Sequence, residues 1–187
     1  MIFNSHSELS GKHAVLSPSS YHWINYDPER LDAYFKSSLM AKRGVELHDF
    51  AHKAISLGVK LPRTRNTLNQ YVNDALGFRM TTEQILWYSD NCFGTTDAIS
   101  FRDALLRVHD LKTGNTPGSM HQLEVYAALF CLEYGVKPGE IGIELRIYQK
   151  DEVVVSNPEV DVIAHVMSKI VTWDRRIEQL RAEGYRD

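Results

Sequence analysis

The sequence predicts an α/β domain built on a central mixed sheet flanked by helices. Short stretches of alternating polar and apolar residues lie between 81 and 112 and again between 141 and 156, the pattern of strands with one buried face. Stretches with apolar residues every three to four positions lie at 38–57, 66–76, 119–134 and 159–181, the pattern of helices packed on one side. The chain has 187 residues, 43% of them hydrophobic and 24% charged, enough for one domain with a real core.

Residues 1–16 carry no sustained periodicity and read as an arm. Ser17-Pro18-Ser19-Ser20 is a helix-start signal, followed by Tyr21, Trp23, Ile24 and Tyr26, read as packing residues. Asp27-Pro28-Glu29-Arg30 starts a further helix at Leu31 by the same logic. The helix at 38–57 has Leu47, Phe50, Ala54 and Leu57 at core spacing, and Gly58 and Pro62 break it. Asn66 to Leu76 follows, with Leu68, Tyr71, Val72 and Ala75 as its apolar side. A strand is expected at Thr81–Tyr88 and a turn at Ser89-Asp90-Asn91, with Asp103 in a later turn. The helix at 119–134 directs Leu123, Ala127, Phe130 and Cys131 to the sheet and stops at Gly135. Ile141–Tyr148 and Val153–Ser156 form a hairpin. The final helix, from Asn157-Pro158-Glu159 to about Arg181, has the stripe Val162, Val166, Ile170, Trp173, Ile177 and Leu180.

The chemistry concentrates between Gly94 and Tyr126. Side chains alternate along a strand, so Leu106, Val108, Asp110 and Lys112 share a face, and a carboxylate and an ammonium leave one strand together. Asp97, Ile99 and Phe101 do the same on the preceding strand, bringing a second carboxylate to a common edge. After a Gly/Pro-rich break at 113–119, Gln122 and Tyr126 lie one helical turn apart. Taken alone, Asp110 and Lys112 read equally as a surface ion pair on an edge strand, and His48 as a structural histidine.

Three segments, Gly94-Thr-Thr-Asp97, Asp110-Leu111-Lys112 and Gln122-Leu-Glu-Val-Tyr126, together resemble the PD-(D/E)XK nuclease superfamily in its RecB-like branch. Arg43-Gly44-Val45-Glu46-Leu47-His48 is similar to that branch's Arg-Gly-x-x-x-His segment. The resemblance covers about Ser17 to Ser156, with a motif core at about 38–156 and the C-terminal helix at about 159–181 beyond it. It implies a restriction-endonuclease-like core and a metal-dependent deoxyribonuclease. The exonuclease form acting on linear DNA in recombination or repair is preferred, and the stand-alone size resembles a phage-encoded enzyme.

The implied catalytic residues are Asp97, Asp110, Lys112, Gln122 and Tyr126. The implied ligands of Mg²⁺ or Mn²⁺ are His48, Asp97, Asp110 and the Leu111 backbone carbonyl. Glu83 is an acid on a neighbouring strand, and His52, one turn beyond His48, is an outer partner or a surface residue. A structure-specific endonuclease shares every one of these residues. A non-catalytic DNA-binding or protein-binding member of the fold would lack an acid or the lysine, and none is missing.

Two cysteines, Cys92 and Cys131, supply neither a disulfide framework nor the four ligands of an iron–sulfur cluster. A net charge of −3 does not exclude DNA as partner, because a metal-binding acid cluster contributes to it and Lys36, Lys42, Arg43, Lys53, Lys60, Arg63 and Arg65 crowd the first third. The expectation is a cytoplasmic protein, in the host cytoplasm if phage-encoded, without a membrane span. A homo-oligomer, with the final helix as contact, and a recombination partner protein are compatible with the resemblance.

Overall fold

The computed structural model describes residues 14–185. The chain divides into two compact units, Met1–Arg43 and Gly44–Asp187, and the long helix α1, Pro28–Ser56, contributes to both. The predicted arm lies mostly outside the described residues, as do the side chains of Ser19, Ser20 and Tyr21.

In the first unit Pro18–Asn25 is a 3-10 helix, and Trp23 Nε1 donates to the Ser17 carbonyl at 2.9 Å. Tyr26 packs edge-on against Tyr34, with the Arg30 guanidinium 4.4 Å from the Tyr26 ring centre. Asp27 caps α1, its Oδ1 accepting from Arg30 N at 2.7 Å. Ile24 is 70% exposed and is not the packing residue expected of it. The helix starts predicted at 31 and 38 are one continuous helix, since nothing between Leu31 and Ser56 breaks it.

The second unit holds a five-stranded mixed sheet in the order β1 (Thr81–Ser89), β2 (Cys92–Arg102), β3 (Leu105–Leu111), β4 (Gly142–Gln149), β5 (Glu152–Ser156). All neighbours are antiparallel except β3 and β4, which the crossover helix α3 (Met120–Tyr134) joins in parallel. Helices flank the sheet on both faces, so the predicted α/β class holds. One face packs on α3 and α4 (Val160–Ala182) through Leu106, Val108, Leu123, Ala127, Leu145 and Ile163. The other packs on α2 (Thr67–Gly77) and the end of α1 through Ala51, Ile55, Tyr71, Val72, Ala98 and Leu111.

Two apolar stripes differ from expectation. On α1 the buried residues are Gly44, Ala51, Ala54 and Ile55, while Phe50 and Leu57 are 47% and 78% exposed. Ala51, Ala54 and Ile55 join the cluster around Ala98 and Leu111, and Gly44 leaves room for Thr113. On α4 the buried residues are Ile163 and Ile170, with Val166 and Met167 beside them. Trp173 is 56% exposed and Val162 and Ile177 are also exposed. Asp174, beside the exposed Trp173, ties α4 to the β1–β2 turn, its Oδ1 accepting from Ser89 Oγ at 2.5 Å and Asn91 Nδ2 at 2.9 Å.

A polar network ties α2 to the sheet. Tyr148 Oη donates to Asp74 Oδ2 at 2.8 Å, so it can only accept from His109 Nδ1 at 3.2 Å, which places the His109 proton on that nitrogen. Arg146 joins Asp74 at 3.1 Å, and both Arg146 and Arg107 donate to Glu144 Oε1. Burial, reinforced by Arg146 and Arg107, lowers the His109 pKa to about 3, so the imidazole is neutral.

Candidate active site

The site forms at the C-terminal end of β3, in the middle of the sheet. The β2–β3 ladder pairs Ala98 with His109, and one residue further along Asp97 and Asp110 face each other across the strands. Asp110 is only 4% exposed and lies on the central strand, which removes the reading of a surface ion pair on an edge. Asp97 Oδ2 accepts from the Leu111 amide at 2.8 Å, so Asp97 is anchored on the backbone between the two other motif residues.

Lys112 follows the last residue of β3, held by its amide to the Tyr148 carbonyl at 2.9 Å. Its Nζ donates to Asp110 Oδ1 at 3.1 Å and to Gln122 Oε1 at 2.9 Å, and lies 3.0 Å from Asp110 Oδ2. That second oxygen is buried and receives no aligned hydrogen bond from the protein, so its ion-pair contact with the ammonium is off the hydrogen-bond direction. Burial, then the charge of Asp97, raises the Asp110 pKa against the opposing pull of Lys112 and His48. Lys112 is the nearest counter-charge to a carboxylate that its surroundings otherwise push toward neutrality.

His48, on α1, reaches the same place: its Nδ1 lies 3.5 Å from Asp97 Oδ2. The hydrogen bond with Asp97 raises the imidazole pKa, against burial. Gly44, one turn before it, leaves room for Thr113, whose Oγ1 would stand 2.7 Å from a Cβ there and would have to turn away. His52 is neither a site residue nor a plain surface one, since its Nδ1 shares a hydrogen bond with Thr82 Oγ1 at 2.6 Å. Tyr126 pins α3 to β2 by donating to the Thr95 carbonyl at 2.7 Å, and its ring covers Gly94, where a Cβ would lie 3.1 Å from Cε1. The predicted residues His48 and Asp97 on one side and Asp110, Lys112 and Gln122 on the other thus meet at the Leu111 amide, and Tyr126 closes the flank. Among the described residues no three His, Cys, Asp or Glu side chains are disposed as a preformed metal cluster.

Sequence reasoning missed why Asp97 sits where it does. In an unbroken β1, Met80, Thr82, Leu86 and Tyr88 would share one face. Met80 instead packs on the α1–α2 side and Thr82 meets His52 there, whereas Leu86 and Tyr88 pack on the α3 side. The switch occurs at Glu83, a non-glycine residue in the left-handed region with φ of 54°. β2 switches with it, since Cys92 packs on the α3 side and Ala98 on the other. Pairs Thr82–Ala98 and Gln84–Thr96 put Glu83 opposite Asp97, so both acids stand where the strands change face. No local sequence signal marks Glu83, because glycine, the usual residue for that backbone, is absent there.

At the opposite end of the strands Arg79, Arg102, Arg107, Asp103 and Phe78 line an open hollow. It escaped the sequence reading because its arginines come from one turn and two strands that only the fold joins. In the basic first third, Lys36 and Lys53 are paired with Asp32 and Asp49 along their own helix.

No family model matches the chain, and no solved structure matches it. Over 86 residues it is 33% identical to the Gene 69 protein of Mycobacterium phage D29, a match covering 46% of this chain. The matched part spans 32% of that relative's length. No described helix is long and apolar enough to cross a membrane.

Proposed function

We propose that the protein is a metal-dependent deoxyribonuclease of the RecB-like PD-(D/E)XK type, acting as an exonuclease on linear DNA in recombination or repair. The observation that carries this reading is the ammonium of Lys112, held between Asp110 and Gln122, with Asp97 facing Asp110 from the next strand. A structural ion pair needs neither the second carboxylate nor the glutamine. The match to a phage protein supports the phage part of the reading only.

What supports a divalent cation is the pair of facing carboxylates, one of them with a buried oxygen lacking a hydrogen bond, whose mutual repulsion a cation between them would relieve beyond what Lys112 offsets. Asp97 and Asp110 would hold Mg²⁺ or Mn²⁺, with His48 and the Leu111 carbonyl as the further ligands the resemblance implies. Two carboxylates and retained water suit Mg²⁺, whereas a histidine favours Mn²⁺. Such an ion supplies Lewis acidity to water and neutralises charge on the phosphate. Lys112 then orients the attacking water and stabilises its developing negative charge, Gln122 holds the ammonium in position, and Tyr126 keeps α3 against β2.

The test is hydrolysis of end-labelled linear duplex and single-stranded DNA with Mg²⁺, Mn²⁺ or EDTA, beside Asp110→Ala, Lys112→Ala and covalently closed circles. Metal-dependent cutting that both variants lose, and that spares circles, is the expected result. Cutting of circles selects the endonuclease. Folded protein that neither cuts linear, flapped or branched DNA nor binds metal would overturn the catalytic reading.

A further inference from the structure

We infer that Gln149 is a positioning residue for the Lys112–Gln122 pair, acting through the loop at 113–119; its catalytic consequence rests on the nuclease reading, its structural one does not. Gln149 ends β4, next to Tyr148, the residue that anchors the Lys112 backbone. Its side-chain amide is fully engaged with the loop. Nε2 donates to the Gly114 and Thr116 carbonyls, both at 2.7 Å, and Oε1 accepts from the Gly118 amide at 3.1 Å. Lys150 adds a bond from Nζ to the Asn115 carbonyl at 3.0 Å.

The clamp has two effects on the site. Gly118 is pressed so close that a Cβ there would stand 3.0 Å from Lys112 Cγ and 2.9 Å from Ile147 Cγ2. The stem of Lys112 is therefore confined between the loop and the sheet, and its ammonium is directed at Asp110. The loop also ends at Ser119, the N-cap of α3, whose carbonyl accepts from the Gln122 amide at 3.2 Å. One glutamine amide thus fixes both partners of the 2.9 Å Lys112–Gln122 bond.

Gln149→Glu tests this, since it keeps the shape but faces two carbonyls with an acceptor instead of a donor. Gln149→Met, which removes all three bonds without adding charge, covers the case in which Gln149→Glu does not fold. The first readout is independent of activity: the rate at which an amine-acylating reagent modifies Lys112, by mass spectrometry, relative to the exposed Lys60. The expected rise is about ten-fold, what the loss of roughly one hydrogen bond gives. The second is DNA hydrolysis, in which kcat falls about ten-fold while KM moves less than about two-fold, as removal of a transition-state interaction requires. An unchanged Lys112 labelling ratio in a folded variant, or a loss carried by KM alone, would overturn the inference. If the wild-type protein cuts no DNA, the nuclease reading fails while the labelling still decides whether the clamp exists.

Discussion

Replacing Asp110 by Asn should make the metal-free protein more stable, although it removes half of an ion pair. Two carboxylates on facing strands about 5 Å apart repel by roughly 3 kcal/mol at an effective dielectric of 20. Burial of Asp110, 4% exposed, adds a desolvation cost. The Lys112 contact at 3.0 Å opposes both, and its net effect is smaller, since the Asp110 pKa is raised rather than lowered. Asn keeps an acceptor for Lys112 and deletes the charge. We expect a gain of about 1 kcal/mol at pH 8 in EDTA, or about 2–4 °C in Tm for a chain of this size.

The sign with pH follows from the same shift. A folded-state pKa above the unfolded one means that the native protein holds the proton more tightly, so wild type recovers stability as pH falls through the folded pKa and the advantage of Asn shrinks. Urea unfolding of both proteins from pH 8 down toward the ordinary Asp value of 3.8, with EDTA and then with Mn²⁺, measures it. Under the proposed function Mn²⁺ should reverse the order, because wild type alone keeps both proposed carboxylate ligands. A less stable Asn variant at pH 8, or a difference that ignores pH, would refute the reasoning.

His109 works in the opposite direction: the unfolded chain takes up its proton near pH 6.5 and the folded chain only near pH 3. Stability is lost as pH falls through that window, by at most about 1.4 kcal/mol per pH unit, and His109→Asn should flatten the slope of ΔG between pH 6.5 and 4 in urea melts. Tyr126→Phe removes the 2.7 Å bond to the Thr95 carbonyl, and should cost about 1 kcal/mol by thermal unfolding; under the proposed function it should also slow DNA cutting while leaving Mn²⁺ affinity unchanged.

Arrangements within the reach of a strand or a helical turn are legible in the residues themselves. Alternation placed Asp110 with Lys112 and Asp97 with Ile99, one turn joined Gln122 to Tyr126, and the order of strands and helices specified an α/β sheet. The remainder depends on contacts between distant segments. Glu83 turns two strands over at Asp97 through a backbone conformation that its own residue type disfavours. On α1 and α4 the buried faces carry Gly44, Ala51, Ala54, Ile55, Ile163 and Ile170 rather than the larger Phe50, Leu57 and Trp173, which stay exposed. Gln149 meets Gly114, Thr116 and Gly118 across more than thirty residues of chain. Such contacts depend on where β4 returns beside β3, and that is set by packing of the whole sheet rather than by any pattern in the sequence around either end.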